Sequence, residues 1–315
     1  AISAASSVTR QAIMLGFVPR MEVQRTADMG QFYLPVVNWG MLLAVMLLVL
    51  GIRSSDNLVD PFGIVVSGQM MITSLLSAAI VARGWGWIKA GVLFGGFLAI
   101  ELAFLVANLL NLSQGGWLLL LTAGAIFIAM ATWKQGRVLH TARIRSERLE
   151  LSMFLESLAA SMPTRVGGTS VFLNADVRAV PHALLHNLMH NKVLHERVVV
   201  VAAQFSDVPS VPDASRVKVR KLRDNFWSVS ILFGFKDDPD IPRALSLCAS
   251  SGLEFDALET TYFIGRETLY PRFHSEMAFW RERIFVAMYR NAGSPTAFFR
   301  IPSNRVVELG AQVTL

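Results

Sequence analysis

Four long apolar segments constrain this chain more than any other feature of its sequence. They cover residues 34–52, 61–82, 87–110 and 115–133, and three of them contain no charged residue. A helix needs about 20 apolar residues to cross the hydrocarbon core of a bilayer. The segments are too long for the core helices of a soluble protein and are joined by short connectors. They therefore predict four adjacent, antiparallel membrane-spanning helices.

The charged residues are spread unevenly along the chain. Residues 1–133 hold six Lys or Arg and five Asp or Glu, and the remaining residues hold 23 and 18. Hydrophobic residues make up 53% of the whole, and the mean hydropathy of +0.46 exceeds that of ordinary soluble proteins. We therefore predict a polytopic α-helical membrane domain over 1–145, followed by a polar domain over 146–315.

Basic residues predict the orientation of the membrane domain. Lys and Arg are retained on the cytoplasmic side, and they flank the four segments more densely than they occupy the connectors. The flanking residues are Arg10, Arg20 and Arg25 on one side and Lys134, Arg137, Arg143, Arg145 and Arg148 on the other. Both ends, and with them the polar domain, are thus predicted to be cytoplasmic. The single cysteine, Cys248, fits a reducing compartment.

Hydrophobic periodicity predicts the linker that precedes the polar domain and the helices and strands within that domain. Residues 142–163 predict an amphipathic helix that leaves the membrane. Alternating and apolar runs then predict a compact α/β domain. Its predicted strands are 169–174, 197–205, 216–222, 226–235 and 260–265, and its predicted helices are 182–195, 241–252 and 274–293.

Glu101 is the one carboxylate inside a predicted span. An ionisable group is costly in lipid and normally faces the interior of a helix bundle or a water path. Two roles remain open for Glu101: it binds a cation or proton, or it forms a structural hydrogen bond to another helix. The second span offers hydroxyl groups, among them Ser67 and Thr73, which either supply oxygens to a cation or serve close helix packing.

Three histidines, His182, His186 and His190, are spaced by four and share one face of the predicted helix, which also carries His195. They are weak candidates for a metal site, because no closing ligand can be named from another element. A polar face that docks on a neighbouring strand or subunit is the favoured alternative. The basic alternation over 216–223 fits either anionic lipid or a nucleotide, or, more simply, a charged edge strand.

The chain carries none of the common catalytic signatures. It has no Walker glycine loop, no GxSxG elbow, no GxGxxG after a strand and no CxxC pair. We therefore expect no enzymatic activity and no cofactor. Residues 1–10 resemble neither a signal peptide nor a natural start, so we expect the chain to begin inside a larger protein.

Four segments together resemble one family, the KUP/HAK/KT potassium uptake permeases, and the resemblance covers essentially the whole chain. SVTRQAIMLGFVPRM at 7–21 and GQFYLPVVNW at 30–39 are similar to its cytoplasmic stretch and to the start of one membrane helix. VPHALLHNLMHNKVLHE at 180–196 and FFRIPSNRVVELGAQVTL at 298–315 are similar to its C-terminal domain.

The resemblance implies potassium uptake, as potassium/proton symport by alternating access, on an amino-acid/polyamine/organocation (APC, LeuT-like) fold with inverted repeats. It implies a bundle of about twelve helices whose ion site lies in the first half, which is missing here. Glu101 corresponds to an acidic residue of the family's penultimate span, and Asn108 to its Ala-Asn pair. Phe62 stands where a Tyr is usual in the family, so either that hydroxyl is not essential or the ion affinity of this chain differs.

Two rival functions remain open at this point: a four-span membrane sensor with a ligand-binding cytoplasmic domain, and a membrane-anchored metalloenzyme that uses the histidine stripe. For the permease, the expected location is the cytoplasmic (inner) membrane. The expected partners are membrane lipid, potassium, a proton and the missing N-terminal half, with a homodimer as an open alternative. No nucleic-acid partner is expected.

Overall fold

The fold was determined as a computed structural model that describes residues 2–21, 24–25, 32–52, 59–110, 116–146, 149–161, 163–270 and 277–314. The chain forms two compact units. One is residues 39–128, and the other joins residues 1–38 to residues 129–315. Helices and strands are numbered below in chain order.

Long helices occupy the positions of the four apolar segments: α2 (Pro35–Ile52), α3 (Val59–Trp85), α4 (Trp87–Leu110) and α5 (Gly116–Ser146). In the described part of the chain, three of these, α3, α4 and α5, are long and apolar enough to cross a membrane. The α2 helix is apolar as well but shorter. Most large apolar side chains on these helices are exposed, as expected for surfaces that meet lipid or further helices.

A tight corner joins α3 to α4. Gly86 has a φ of +87°, in the left-handed region that glycine adopts without a Cβ penalty. Close to the corner, Ala82 and Ala90 are buried. Small side chains here let the two helices pack closely as a hairpin.

The other unit contains a six-stranded sheet. Its strands are β3 (Thr164–Asn174), β4 (Val193–Ser206), β5 (Val217–Arg223), β6 (Phe226–Gly234), β7 (Thr260–Tyr270) and β8 (Val306–Thr314). The order across the sheet is β5-β6-β4-β3-β7-β8, and every neighbouring pair is parallel except β5 with β6. This bears out an α/β domain in the C-terminal part, because parallel strands need helical crossovers between them.

Helices pack on both faces of this sheet: α6 (Leu151–Ser161) and α7 (His182–His186) on one face, and α9 (Ile241–Ser246) on the other. The unit also contains α8 (Asp213–Arg216), α10 (Phe279–Arg290) and α11 (Pro295–Phe298). Alternate residues of β4 enter opposite cores: Val198 and Val200 pack with α6 and α7, whereas Val199 and Val201 pack with α9. Burial on both faces explains why the central run of β4, residues 198–203, is apolar at every position.

A third apolar cluster fixes α10 to the later turns of α5. Trp133 on α5 and Phe285 on α10 lie with their ring centroids 5.3 Å apart, and Leu269 at the end of β7 completes the contact. Gly136 makes this possible, because a Cβ at that position would overlap the Phe285 ring.

The N-terminal residues belong to the same unit. Helix α1 (Ile2–Met14) is followed by two short antiparallel strands, β1 (Gln24–Arg25) and β2 (Phe32–Tyr33). Arg10 of α1 donates to the Asp238 carboxylate at 2.6 Å. The backbone N–H of Gly293 donates to the Arg20 carbonyl at 2.7 Å.

The predicted helix over 182–195 was wrong only at its end. Helix α7 continues as a five-residue π-helix over Asn187–Asn191, and Lys192 then adopts a left-handed φ of 58° that ends it. The side chain of Asn187 donates to the Val193 carbonyl at 2.8 Å, which turns the chain into β4. His195 therefore lies on a strand, away from the helical stripe to which it was assigned.

The predicted linker helix over 142–163 is two elements. Helix α5 continues to Ser146, and α6 begins at Leu151. Between them, Glu150 pairs with Ala179 as an isolated antiparallel bridge. Because Glu150 is extended, the two helices are not continuous. Strand β8 was not predicted at all.

Candidate ion-handling site between α3 and α4

Polar side chains line the seam of the α3–α4 hairpin in two layers. Ser67 and Ser74 of α3 are seven residues apart, as are Glu101 and Asn108 of α4. Seven residues are close to two helical turns, so each pair lies on one face of its helix, and the two layers are about 10 Å apart along the hairpin. The antiparallel packing then brings Ser74 to Glu101 and Ser67 to Asn108.

Glu101 forms the first layer and is only 7% exposed. The Ser74 hydroxyl donates to its Oε1 at 2.7 Å. Its Oε2 is fully buried and has no hydrogen-bond partner among the described residues. A buried carboxylate oxygen without a donor is costly when the group is ionised, so this oxygen suits a proton or a bound cation.

Asn108 and Ser67 form the second layer. The Asn108 side-chain amide donates to the Phe104 carbonyl at 2.9 Å and more weakly to the Ser67 hydroxyl oxygen at 3.5 Å. Ser67 itself donates to the Gly63 carbonyl at 2.7 Å. A Cβ at Gly63 would overlap the Asn108 amide, so glycine lets this side chain approach α3.

Thr73 is not brought into this seam. It is exposed, and its hydroxyl donates to the Gln69 carbonyl of its own helix at 2.8 Å. Its neighbour Ser74 takes the place beside Glu101. The hydroxyl candidates taken from the sequence were Ser67 and Thr73, but the seven-residue spacing from Ser67 is the signal that points to Ser74.

The three candidate metal ligands lie at the start of the chain segment that leads into β4. The rings of His186 and His190 are 5.6 Å apart, and His182 is exposed. Among the residues that the structure describes, no three His, Cys, Asp or Glu side chains are grouped closely enough to hold a metal ion. His182 also lies near Glu267, and its charge helps to lower the pKa of that carboxyl group.

A second polar cluster, not anticipated from the sequence, joins α5 to the sheet. The His140 imidazole Nε2 lies 2.8 Å from Glu267 Oε2, and the Tyr289 hydroxyl donates to the same oxygen at 3.5 Å. Burial acts to raise the pKa of Glu267, but the hydrogen bond and charge of His140 outweigh it and hold that pKa below its usual range. Burial and the Glu267 charge raise the pKa of Tyr289 to about 12.

Four of the five basic residues over 216–223 lie on β5, the antiparallel edge strand of the sheet, and Arg216 is the last residue of α8. The predicted edge strand is therefore observed, and charged side chains protect such an edge against pairing with another chain.

Two protein-family models match this chain. The model described as the K+ potassium transporter integral membrane domain matches residues 1–138, and the model described as the K+ potassium transporter C-terminal domain matches residues 167–315. Between them they leave out only residues 139–166.

Curated relatives match the chain over its full length. A probable potassium transport system protein Kup 1 of Dechloromonas aromatica is 66% identical, and that match covers 50% of the relative. A Kup 3 protein of the same organism is 50% identical over 51% of its length, and a Kup protein of Aromatoleum aromaticum is 49% identical over 50%. The chain thus spans about half the length of the curated relatives it matches.

Proposed function

This chain belongs to the K+ potassium transporter family, and on that premise we propose that it is the C-terminal half of a potassium uptake protein. The observation that carries the proposal is 66% identity, over the entire chain, to a protein named as a probable potassium transport system protein. Three membrane-length helices agree with it. The names of the relatives do not favour the sensor or the metalloenzyme, and they agree with the expectation that the chain is not an enzyme.

The proposed architecture keeps the division predicted from the sequence. Residues 1–145 supply the last spans of a LeuT-like bundle, with α2 as a fourth crossing beside α3, α4 and α5. Residues 146–315 form a cytoplasmic domain. The 18-residue length of α2, without a charged residue, supports a crossing, and the basic residues on both sides of the four helices support the orientation in the inner membrane.

The proposed mechanism is potassium/proton symport by alternating access. A membrane potential contributes roughly 2.3 kcal/mol per elementary charge per 100 mV, which is enough to drive uptake of a cation. The principal potassium ligands belong to the half of the protein that is not in this chain. In the half described here, the free Oε2 of Glu101 carries a proton or contacts the cation, and Ser67 and Asn108 supply polar groups along the same seam.

A chimera tests the proposed function. The part of the Dechloromonas aromatica relative that lies outside the matched region is joined to this chain and expressed in a bacterium that lacks its own potassium uptake systems. We expect the chimera to restore growth at low potassium and the chain alone to fail. Growth with the chain alone would show that the essential ligands are not in the other half, and a well-inserted chimera that takes up no potassium would contradict the proposal.

Glu101→Gln in the same chimera tests the role of the seam. Glutamine keeps the size of the side chain and still accepts from Ser74, but it cannot exchange a proton. We expect slower uptake or a changed pH dependence with normal membrane insertion. Thr73→Val is the matched control, because it removes a hydroxyl one residue from Ser74 on the exposed face. Equal uptake in both variants would return Glu101 to a packing role.

A further inference from the structure

The first turn of α10 carries two exposed aromatic side chains. Phe279 is 44% exposed and Trp280 is 54% exposed, although one face of the following turns of the same helix is buried against α5 and β7. Exposed aromatic residues on an otherwise packed helix mark a surface that meets something other than water. The neighbouring residues of this turn indicate which environment contacts it.

The turn lies beside the end of the apolar segment of α5. Arg281 Nε donates to the Thr132 hydroxyl oxygen at 3.1 Å, and one turn further along α10, Phe285 packs on Trp133. Thr132 and Trp133 are the last residues of the apolar segment, and Lys134 follows directly. A helix that crosses a bilayer ends its apolar stretch at the level of the lipid headgroups, so the first turn of α10 lies at that level too.

The chemistry of the turn suits this depth. Trp and Tyr rings favour the membrane–water interface, and Arg side chains attract anionic headgroups. The Arg283 guanidinium lies over the Phe279 ring at 4.8 Å and is itself exposed. The acidic residue of the turn, Glu282, is only 1% exposed, so it presents almost no negative charge to the surface.

We propose that the first turn of α10 is an interfacial anchor, in which Trp280 enters the headgroup region of an anionic bilayer beside the end of α5. The anchor goes beyond potassium transport but requires that α5 crosses the membrane. It would hold the end of the sheet that carries Leu269 close to the bilayer, because Leu269 packs in the same cluster as Phe285.

Strand β7 supplies a matched control position. Leu258 is 73% exposed and lies just before β7 begins, whereas Leu269 lies near its end. At about 3.3 Å per residue the strand separates the two ends by roughly 30 Å. An apolar, exposed side chain at position 258 therefore belongs to the same unit but is predicted to remain in water.

The test measures immersion depth with a nitroxide attached to single introduced cysteines in the full chain, reconstituted in nanodiscs. The variants are W280C, L258C and I126C, the last within the apolar segment of α5. Burial keeps the native Cys248 fully inaccessible and raises its pKa to about 11, so the unmodified chain serves as the labelling blank. Accessibility to oxygen, which concentrates in lipid, is compared with accessibility to a water-soluble nickel chelate.

We expect position 126 to be deep, position 280 to lie at the headgroup level and position 258 to be aqueous. Replacing phosphatidylglycerol by phosphatidylcholine should move position 280 toward water, and Arg283→Gln should remove that dependence on lipid charge. An aqueous position 280 with a deep position 126 would overturn the anchor alone. A position 280 that neither reagent reaches would show that protein covers the turn, which also overturns it. An aqueous position 126 would overturn the crossing of α5 itself.

Discussion

Gly136→Ala is expected to separate α10 from α5. The Cε2 atom of Phe285 would lie 2.6 Å from the added methyl carbon, whereas carbon atoms normally approach to about 3.5–4.0 Å. Two closer ring atoms overlap the methyl as well, so helix and ring must move apart by about 1 Å. Because both lie in ordered helices, the relief cannot come from the end of a flexible side chain.

The free-energy change follows from three opposing effects. Overpacking of this kind costs about 1–3 kcal/mol, and the move also weakens the contact between Phe285 and Trp133, which adds about 0.5–1.5 kcal/mol. Alanine gains about 1 kcal/mol over glycine in a helix interior. The net destabilisation of the docked α10 is therefore about 2 kcal/mol.

Hydrogen–deuterium exchange of the peptide that contains Phe279–Arg290 measures this docking directly. A loss of about 2 kcal/mol lowers the protection of its amides roughly 30-fold, since about 1.4 kcal/mol is a factor of ten. Gly124→Ala is the matched control, because the same helix is changed at a site where a Cβ meets nothing within 4 Å in this chain. Adding Phe285→Leu to Gly136→Ala should make the two changes less costly together than their sum. Unchanged protection in Gly136→Ala, or full additivity with Phe285→Leu, would refute the steric reasoning.

Three further outcomes are expected. Asp237 accepts hydrogen bonds from the backbone N–H of Gly234 at 2.8 Å and from Arg216 at 3.2 Å. Burial acts to raise the pKa of Asp237, but these two contacts and the hydrogen bond from Ser210 hold that pKa below its usual range. Asp237→Asn should lower the free energy of unfolding by about 2 kcal/mol at neutral pH. The thermal midpoints of the variant and the unchanged protein should converge as the pH falls through the lowered pKa of Asp237. A difference that stays constant with pH would exclude the charge of Asp237 as the cause. Tyr289 has a pKa of about 12 in the folded protein and about 10 when unfolded, so its contribution to stability is complete below pH 10 and is lost as the pH rises to 12. Tyr289→Phe should therefore reduce the loss of stability at alkaline pH. Part of that loss should persist in the variant, because burial also raises the pKa of Tyr262 to about 12. The purified chain should retain less than one zinc per molecule after dialysis, and stoichiometric zinc that is lost on changing His186 and His190 to Gln would restore the metal-site interpretation.

Sequence patterns predicted the long apolar helices and most strands, because the length of an apolar run and the alternation of apolar residues are both visible in the sequence. An apolar run of 19 or more residues has few alternatives to a crossing, and the unbroken apolar run of β4 is typical of a strand covered on both faces. The end of the predicted helix at 182–195 was missed for a local reason. One side-chain hydrogen bond from Asn187 to the Val193 carbonyl turns the chain, and helical periodicity carries no trace of it.

The candidate site shows the same limit. Glu101 was found because an ionisable group within an apolar run is conspicuous. Thr73 was taken as a candidate and Ser74 was not, although adjacent helical residues point about 100° apart and Ser74 is the one that contacts Glu101 of α4. The contact of His140 with Glu267 joins residues 127 positions apart in different elements, and no periodic signal relates them.

The place of β8 in the sheet affects any experiment that labels the C-terminus. Its residues pair with β7 up to Thr314, which lies opposite Tyr270. A fluorescent or enzymatic reporter joined directly after that residue would start inside hydrogen-bonded sheet and pull on the strand to which α10 is docked. A flexible spacer, or an internal fusion in an exposed turn, would report the side of the membrane without disturbing the fold.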